Sequence, residues 1–198
     1  MRFIGITGGV GAGKSAILSY LAQKPGTRVM LADEIARDLM EPGTECYEKI
    51  REVFRGEDIF LPEGGLDRGK LAAVIFSDEA QRRRMNDIVH PAVKQYVRRQ
   101  NEMERERGVL KLLILEAALL IEEHYDEICD ELWYIYTSEE NREQRLMESR
   151  GYSREKVYRI FASQLGEEDY RSHCKVTIDN NGTVAQTFTQ IDEALKQA

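Results

Sequence analysis

The stretch Gly8-Gly9-Val10-Gly11-Ala12-Gly13-Lys14-Ser15 matches the pattern Gly-x-x-x-x-Gly-Lys-Ser near the start of the chain. The apolar run Arg2 to Thr7 leads into it, and helix-forming residues follow from Ala16. Between a strand and a helix, glycines at these positions let successive backbone N–H groups turn inward around phosphate oxygens. An ordinary strand-to-helix turn is the alternative interpretation, and the complete pattern in this context favours phosphate binding.

The loop also carries the side chains that ATP and Mg²⁺ require. Lys14 adds a fixed positive charge for the β- and γ-phosphates. The hydroxyl of Ser15 suits Mg²⁺, which prefers hard oxygen ligands and bridges nucleotide phosphates. The other expected nucleotide contacts are Gly8, Gly9, Val10, Gly11, Ala12, Gly13 and Ala16. The sequence therefore predicts an ATP-binding phosphotransferase with Mg²⁺ as its metal cofactor.

Five short apolar runs have the length and composition of buried strands. They are Arg2–Thr7, Thr27–Ala32, Lys111–Leu115, Glu131–Tyr136 and Lys175–Asp179. Segments with helical spacing separate them, such as Ala92 to Arg105 and Asn141 to Ser149, and Thr183 to Lys196 has the pattern of a closing helix. This alternation is typical of a parallel sheet covered by helices. The sequence predicts an α/β fold, a P-loop core with a five-stranded parallel sheet.

The strand spacing further predicts three regions. The second and third strands are separated by about eighty residues, far more than an ordinary crossover needs, so residues 33–107 should form a helical insertion that binds the acceptor substrate. Residues 138–166 are rich in arginine and glutamate and are broken at Arg150-Gly151-Tyr152-Ser153, which indicates a two-helix lid. Residues 1–32, 108–137 and 167–198 remain as the nucleotide-binding core.

The composition of the chain limits the kinds of partner that it can bind. With 198 residues, 42% hydrophobic residues and four prolines, the chain is a folded soluble protein, and its net charge of −7 argues against a broad nucleic-acid-binding surface. Cys46, Cys129 and Cys174 are too far apart for a disulfide framework or a Cys-x-x-Cys metal site. The apolar run Leu112 to Ile121 is too short to cross a bilayer. We expect a cytoplasmic protein whose partners are small molecules, without nucleic acid or membrane.

Asp33 is the candidate catalytic base. It follows the second predicted strand, and ligands of open α/β sheets bind beyond the carboxyl ends of strands. A carboxylate there can accept the proton of an attacking hydroxyl. An equally good interpretation makes Asp33 the N-cap of a helix over Glu34 to Met40.

Several other residues that can carry charge have both a functional and a purely structural interpretation. Arg142, Arg145 and Arg150 can each neutralise a transferring phosphoryl group or pair with a nearby glutamate on a solvated helix. Glu116 ends the third strand, where it can accept from Mg²⁺-bound water or be a lone strand-end charge. His90 precedes Pro91 and can simply end a helix.

An ordered set of motifs extends over nearly the whole chain. It comprises the loop at 8–15, Ala32-Asp33-Glu34-Ile35-Ala36-Arg37, Pro42-Gly43, Leu66-Asp67-Arg68, Phe76, His90-Pro91, Arg145-Leu146, Gln164 and Ile178-Asp179-Asn180-Asn181-Gly182. This set resembles the dephospho-CoA kinase family. The resemblance implies transfer of the γ-phosphoryl group of ATP to the ribose 3′-hydroxyl of dephospho-CoA, which gives CoA and ADP in the last step of CoA synthesis.

The resemblance also implies roles for single residues. Asp33 corresponds to the proposed base, Lys14 to the phosphate contact and Arg145 to a lid arginine. Further ATP contacts fall on Asn180 and Gly182, in the turn beside the adenine. Three residues are then expected to bind the acceptor substrate, and they are Arg37, His90 and Glu116.

The sequence departs from the family pattern in several places. Ser149 and Ile160 stand where the family commonly carries arginine, while Arg150 and Arg159 each lie one position away, a rotation of about 100° on a helix. Glu116-Ala117-Ala118-Leu119-Leu120-Ile121-Glu122 replaces the usual Asp-x-Pro-Leu-Leu-Phe-Glu, and Cys174-Lys175 replaces Ala-Asp. Two other functions therefore stay open: another P-loop kinase of small molecules or nucleotides, and a non-catalytic ATP-binding regulatory protein.

Overall fold

The computed structural model describes residues 1–197, which divide into two compact units. The first unit consists of Met1–Met30 and the chain from Glu104 onward, and the second is the continuous segment Leu31–Met103. The sheet is built in the first unit, whereas the second unit is helical.

The five strands form one sheet in the order β2-β3-β1-β4-β5. They are β1 (Arg2–Thr7), β2 (Thr27–Leu31), β3 (Leu112–Glu116), β4 (Glu131–Tyr136) and β5 (Val176–Asp179). All strands run parallel, which confirms the predicted α/β fold with a five-stranded parallel sheet flanked by helices. The boundaries differ from the prediction by at most one residue at each end. Ala32, for example, opens a helix instead of closing β2.

The described chain contains nine α-helices. They are α1 (Lys14–Ala22), α2 (Ala32–Leu39), α3 (Glu45–Val53), α4 (Arg68–Ser77), α5 (Glu79–Arg107), α6 (Glu139–Arg150), α7 (Arg154–Ala162), α8 (Glu167–His173) and α9 (Val184–Lys196). Helix α5 has 29 residues but is rich in charge, and none of the helices in residues 1–197 is both long and apolar enough to cross a bilayer.

The core of the first unit packs helices against the central strands. Ile4 and Ile6 of β1 are fully buried, and they belong to one apolar cluster with Ile17 of α1 and Ile191 of α9. Because the central strands of a parallel sheet are covered on both faces, β1 and β3 are almost continuously apolar. This packing fixes the end of β1, from which the glycine loop departs.

The second unit is a set of helices joined by short turns. Thr44 caps α3 by accepting from the Tyr47 N–H, and Asp67 caps α4 by accepting from two backbone N–H groups. Between these helices the turn at 61–65 is closed by an antiparallel bridge of Phe60 with Leu66. The predicted turn at Leu61-Pro62-Glu63-Gly64-Gly65 is therefore present.

Helix α5 corrects the interpretation that His90 ends a helix before a proline. The helix continues through Pro91, although proline removes one i→i−4 hydrogen bond. Met85, Val89, Val93 and Val97 repeat every four residues and are all buried. This apolar stripe continues on both sides of the proline, so its burial stabilises one unbroken helix.

The three cysteines are free thiols, as the sequence indicates. Cys46 and Cys129 are buried, and Cys174 is half-buried. Burial raises the pKa of Cys129 and of Cys174 to about 12, so both thiols stay protonated at neutral pH.

Candidate active site

The glycine loop joins β1 to α1 in a backbone conformation that is unfavourable for residues with a side chain. Gly8, Gly11 and Gly13 have φ angles of 148°, 85° and 85°, a region that residues with a Cβ rarely adopt. A Cβ on Gly8 would also lie 2.6 Å from the carbonyl oxygen of Ile135 in β4. The loop therefore keeps its shape because glycine occupies these positions, and this shape directs its N–H groups towards an anion.

Lys14 and Glu116, two of the predicted site residues, lie together. The Nζ atom of Lys14 donates to the carbonyl oxygen of Gly8 over 2.7 Å and lies 3.5 Å from Oε1 of Glu116. Glu116 ends β3, and its backbone pairs with Ile6 of the neighbouring strand β1. Both side chains are mostly buried, so water screens their attraction only partly.

Three side chains converge on the carbonyl oxygen of Ala12, on another part of the loop. Nδ2 of Asn180 donates to this oxygen over 2.7 Å, Oγ1 of Thr137 over 3.1 Å and Nη1 of Arg145 over 3.3 Å. Nη2 of Arg145 also donates to the carbonyl oxygen of Asn180 over 2.8 Å. The structure thus brings together the loop, Arg145 and Asn180, which the sequence analysis assigned to one nucleotide site.

The turn after β5 holds Asn180 in place. Oδ1 of Asp179 accepts from the backbone N–H of Asn181 over 2.9 Å, and Oγ1 of Thr187 donates to Oδ1 of Asn180 over 2.8 Å. A Cβ on Gly182 would lie 2.4 Å from Oε1 of Gln186, a residue that caps α9. Gly182 therefore permits a tight entry into α9.

The sequence analysis missed Thr137 and Thr187 as members of this site. Thr137 is buried and follows directly after β4, so the rule that ligand sites form at the carboxyl ends of strands could have indicated it. Thr187 lies inside α9, and no sequence signal distinguishes it from an ordinary helix residue.

Most arginines of the predicted lid point away from the loop. Arg150 is exposed at the end of α6, with its Cζ 6.0 Å from the centre of the Tyr152 ring. Arg154 is paired with Glu143 over 2.5 Å, and Arg159 is exposed on α7. Among the described lid arginines, Arg142 and Arg145 are the two that donate to loop carbonyls.

The remaining predicted residues belong to the second unit. Asp33 is the second residue of α2 and is exposed, and the helix has Leu31 at its N-cap position without a side-chain cap. The N-cap interpretation of Asp33 is therefore wrong. Arg37 follows one turn later on the same helix and borders a cavity of about 370 Å³ that Arg68 also lines. His90 is half-buried in α5.

Residues 1–197 contain no cluster of three acidic, histidine or cysteine side chains that could hold a metal ion alone. Ser15 is exposed in the first turn of α1, directly after the loop. A hydroxyl at the edge of a phosphate-binding loop fits an ion that takes most of its ligands from nucleotide oxygens and water. The donor set therefore suits Mg²⁺ carried with a nucleotide and does not suit a resident metal centre.

A parallel sheet that presents a Gly-x-x-x-x-Gly-Lys-Ser loop at the end of its central strand defines a P-loop nucleotide-binding protein. A shikimate kinase from Acinetobacter baumannii shares this fold with a TM-score of 0.56. The family model described as dephospho-CoA kinase matches residues 2–186. The chain therefore belongs to the dephospho-CoA kinase family and is a transferase of that family.

Individual relatives agree with this assignment. The chain is 36% identical over 192 residues to a dephospho-CoA kinase of Shouchella clausii, a match that covers 97% of this chain and 96% of the relative. Among solved structures, TT1252 from Thermus thermophilus is 27% identical and has a TM-score of 0.74, with 99% and 97% of the two chains covered. A dephospho-CoA kinase from Campylobacter jejuni, 19% identical, shares the fold with a TM-score of 0.73 over 100% of this chain and 97% of its own.

Proposed function

We propose that this protein transfers the γ-phosphoryl group of ATP to the ribose 3′-hydroxyl of dephospho-CoA, giving CoA and ADP in the final step of CoA biosynthesis. The observation that carries the proposal is an intact phosphate loop, whose backbone conformation Gly8 permits, in a chain that the dephospho-CoA kinase family model matches over residues 2–186. The loop suits phosphoryl transfer, because catalysis of that reaction rests on positioning and on stabilising charge.

The loop and its neighbours supply the electrostatic part of the reaction. The loop N–H groups and Lys14 face the negative charge of the β- and γ-phosphates, and this charge shifts towards the β–γ bridging oxygen as the bond breaks. Arg145 is fixed beside the loop through the carbonyl oxygens of Ala12 and Asn180. We infer that its positive charge helps to hold the nucleotide, with Asn180 and Gly182 forming the turn next to the base.

Asp33 is proposed as the general base. Its exposed carboxylate in the first turn of α2 can accept the proton of the 3′-hydroxyl as that oxygen attacks the γ-phosphorus. The hydroxyl loses its proton to Asp33, the new P–O bond forms, and ADP leaves with the electrons of the broken bond. Asp33 is suited to this role because the helix does not use it as a cap.

Mg²⁺ is proposed to bind with ATP, held on the protein side by Ser15. When bound, the ion neutralises charge on the phosphate oxygens.

The acceptor is proposed to contact Arg37, His90 and Glu116. Residues 33–107 are proposed as the acceptor-binding region and residues 138–166 as the lid. We also propose that the protein is cytoplasmic and that its small-molecule partners are ATP and dephospho-CoA.

The test is Mg²⁺- and ATP-dependent conversion of dephospho-CoA to CoA by the purified protein. We expect Lys14→Ala and Asp33→Asn each to lower turnover by about 100-fold or more, since each removes a group of the transfer step. Glu34→Gln, at the next residue of the same helix and likewise exposed, is the matched control for Asp33 and should retain wild-type turnover. Asp33→Asn should still bind ATP.

Two outcomes would reject parts of this proposal. Conversion that survives Asp33→Asn unchanged would remove Asp33 as the base. Absence of conversion by the wild type, with ATP binding intact, would exclude dephospho-CoA as the acceptor and point to another small-molecule kinase or to a regulatory ATP-binding protein.

A further inference from the structure

Arg142 of α6 reaches from the predicted lid onto the phosphate loop. Its Nε atom donates to the carbonyl oxygen of Val10 over 2.9 Å, and its Nη2 atom donates to Oε1 of Gln164 over 2.5 Å. The same Oε1 atom accepts from the backbone N–H of Val10 over 3.2 Å. Arg142, Gln164 and Val10 thus form a closed ring of three hydrogen bonds, called the Val10 clamp below.

The clamp uses both polar groups of one loop residue. Arg142 binds the carbonyl of Val10, and Gln164 binds its N–H. The two peptides that flank Val10 are therefore held by side chains from outside the loop. A Cβ on Gly9 would lie 2.3 Å from Cζ of Arg142. The guanidinium therefore occupies the space that glycine leaves at this point of the loop.

The charge of Arg142 has an unusual environment. In the described part of the chain its hydrogen bonds go to an amide and a carbonyl oxygen, and no carboxylate forms an ion pair with it. One face packs on the Phe161 ring, with Cζ 4.2 Å from the ring centre, and burial lowers the pKa of the guanidinium from its usual value. An arginine remains charged even so. The Glu139 carboxylate acts on this charge electrostatically but forms no ion pair with it in the described part of the chain. A positive charge held at a phosphate loop in this way is suited to an anion bound in that loop.

The other lid arginines lack this arrangement. Arg150 and Arg159, which lie next to the two family positions that lack arginine here, are exposed on α6 and α7. Arg154 joins α6 to α7 through Glu143 but makes no bond to the loop. Arg142 therefore differs from a solvated charge on a helix face, because it donates hydrogen bonds to the Val10 carbonyl and to Gln164.

We propose that Arg142 is a positioning residue for phosphoryl transfer: together with Gln164 it fixes the Val10 peptide and so holds the phosphate loop in the form that receives ATP. Its relevance to catalysis rests on the proposed function, but the effect on the loop is measured by ATP binding alone. The clamp also makes the two lid helices and the loop one connected unit, since Gln164 follows α7 and Arg142 lies on α6.

The experiment is titration of ATP into the wild type, Arg142→Ala, Gln164→Ala and the double variant by calorimetry. We expect Arg142→Ala to bind ATP about 10- to 100-fold more weakly, the range that a charge-assisted hydrogen bond spans. Gln164→Ala should weaken ATP binding as well, and the double variant should be no weaker than the weaker single variant because both belong to one ring. Arg154→Ala is the matched control, since it removes a link between α6 and α7 that does not touch the loop, and it should bind ATP as the wild type does.

Kinetics separate positioning from general loss of structure. Arg142→Ala should raise the KM for ATP and leave the KM for the acceptor unchanged, whereas partial unfolding lowers the active fraction without moving either KM. If Arg142→Ala does not fold, Arg142→Lys keeps the charge but not the two directed bonds, and it should still bind ATP more weakly.

Three results would overturn the inference. The first is an ATP affinity within about twofold of the wild type in Arg142→Ala or, if that variant does not fold, in Arg142→Lys. The second is a double variant in which the two single losses of ATP affinity simply add. The third is a loss of ATP affinity in Arg154→Ala equal to that in Arg142→Ala. Failure of the proposed function is a separate result, because it appears as a wild type that binds ATP but does not phosphorylate dephospho-CoA.

Discussion

Gly8 illustrates how a single residue can determine a binding site. Its φ of 148° disfavours any side chain at this point of the loop, and an added Cβ would lie only 2.6 Å from the carbonyl oxygen of Ile135. The carbonyl oxygen of Gly8 also accepts from Nζ of Lys14. One residue thus sets both the turn of the backbone and the position of the lysine.

Replacing Gly8 by alanine should damage the loop in two ways. We expect Gly8→Ala to cost about 1–3 kcal/mol of unfolding free energy, the usual range for strained backbone. ATP binding should weaken by at least about tenfold, because the loop must move away from Ile135. Urea unfolding and ATP titration measure the two effects.

Gly56→Ala is the matched control for that variant. Gly56 has an ordinary φ, and no atom lies within 4 Å of its would-be Cβ, so alanine there should be neutral or stabilise by less than about 1 kcal/mol. Wild-type ATP affinity in Gly8→Ala would show that the loop does not depend on this glycine.

At the scale of elements, helix ends and helix faces decide where the site residues sit. Thr183 and Gln186 form a reciprocal capping box at the start of α9: Oγ1 of Thr183 accepts from the Gln186 N–H, and Oε1 of Gln186 accepts from the Thr183 N–H. The same helix carries Thr187, which orients Asn180. The cap therefore supports the turn on which Asn180 lies.

Thr183→Ala should lower the free energy of unfolding by about 1 kcal/mol, because it leaves helix N–H groups without an acceptor. Thr189→Ala makes the same deletion at an exposed position inside α9 and should change stability by less than about 0.5 kcal/mol. Urea denaturation monitored by circular dichroism compares the two variants. A Thr183→Ala variant no less stable than Thr189→Ala would show that the capping box contributes nothing to the free energy of unfolding.

Helix α5 shows both the value and the limit of sequence patterns. Its apolar stripe from Met85 to Val97 is readable in the sequence, yet Pro91 left open the interpretation that a helix ends at His90. Local chemistry disfavours helix at a proline, but burial of a continuous stripe outweighs one lost hydrogen bond. The period of the stripe was the more informative signal.

At the scale of the whole molecule, nucleotide binding is expected to stabilise the fold. A ligand that binds only the native state at about 100 times its Kd adds about 2.7 kcal/mol. For a chain of this size that corresponds to a rise in Tm of about 5–11 °C. A thermal unfolding scan with and without ATP and Mg²⁺ measures it, with Lys14→Ala as the variant that should show little shift.

A wild type whose Tm does not respond to saturating ATP would contradict nucleotide binding and, with it, the proposed reaction. A shift of equal size in Lys14→Ala would show instead that the lysine adds nothing to ground-state binding. In that case its role would be confined to the transition state.

Much of the fold followed from the sequence because buried strands and the glycine loop are local signals. All five strands were expected from these local signals, whereas the association of the loop with Arg145 and Asn180 was expected from the resemblance to the dephospho-CoA kinase family. The Val10 clamp was not expected, because helical spacing does not tell which arginine of a charged segment turns inward, and the family resemblance assigned no role to Arg142. Such pairings depend on how helices pack, which periodicity does not encode.

The strand order has a consequence for the newly made chain on the ribosome. β1 is synthesised early, but its neighbours β3 and β4 begin only at Leu112 and Glu131. At about 5–20 residues per second, the apolar strand waits for several seconds with both edges unpaired while the helical segment Leu31–Met103 emerges. During this interval the N–H and C=O groups on both edges of β1 have no partner strand, so this apolar strand is open to pairing with other chains until β3 and β4 have been made.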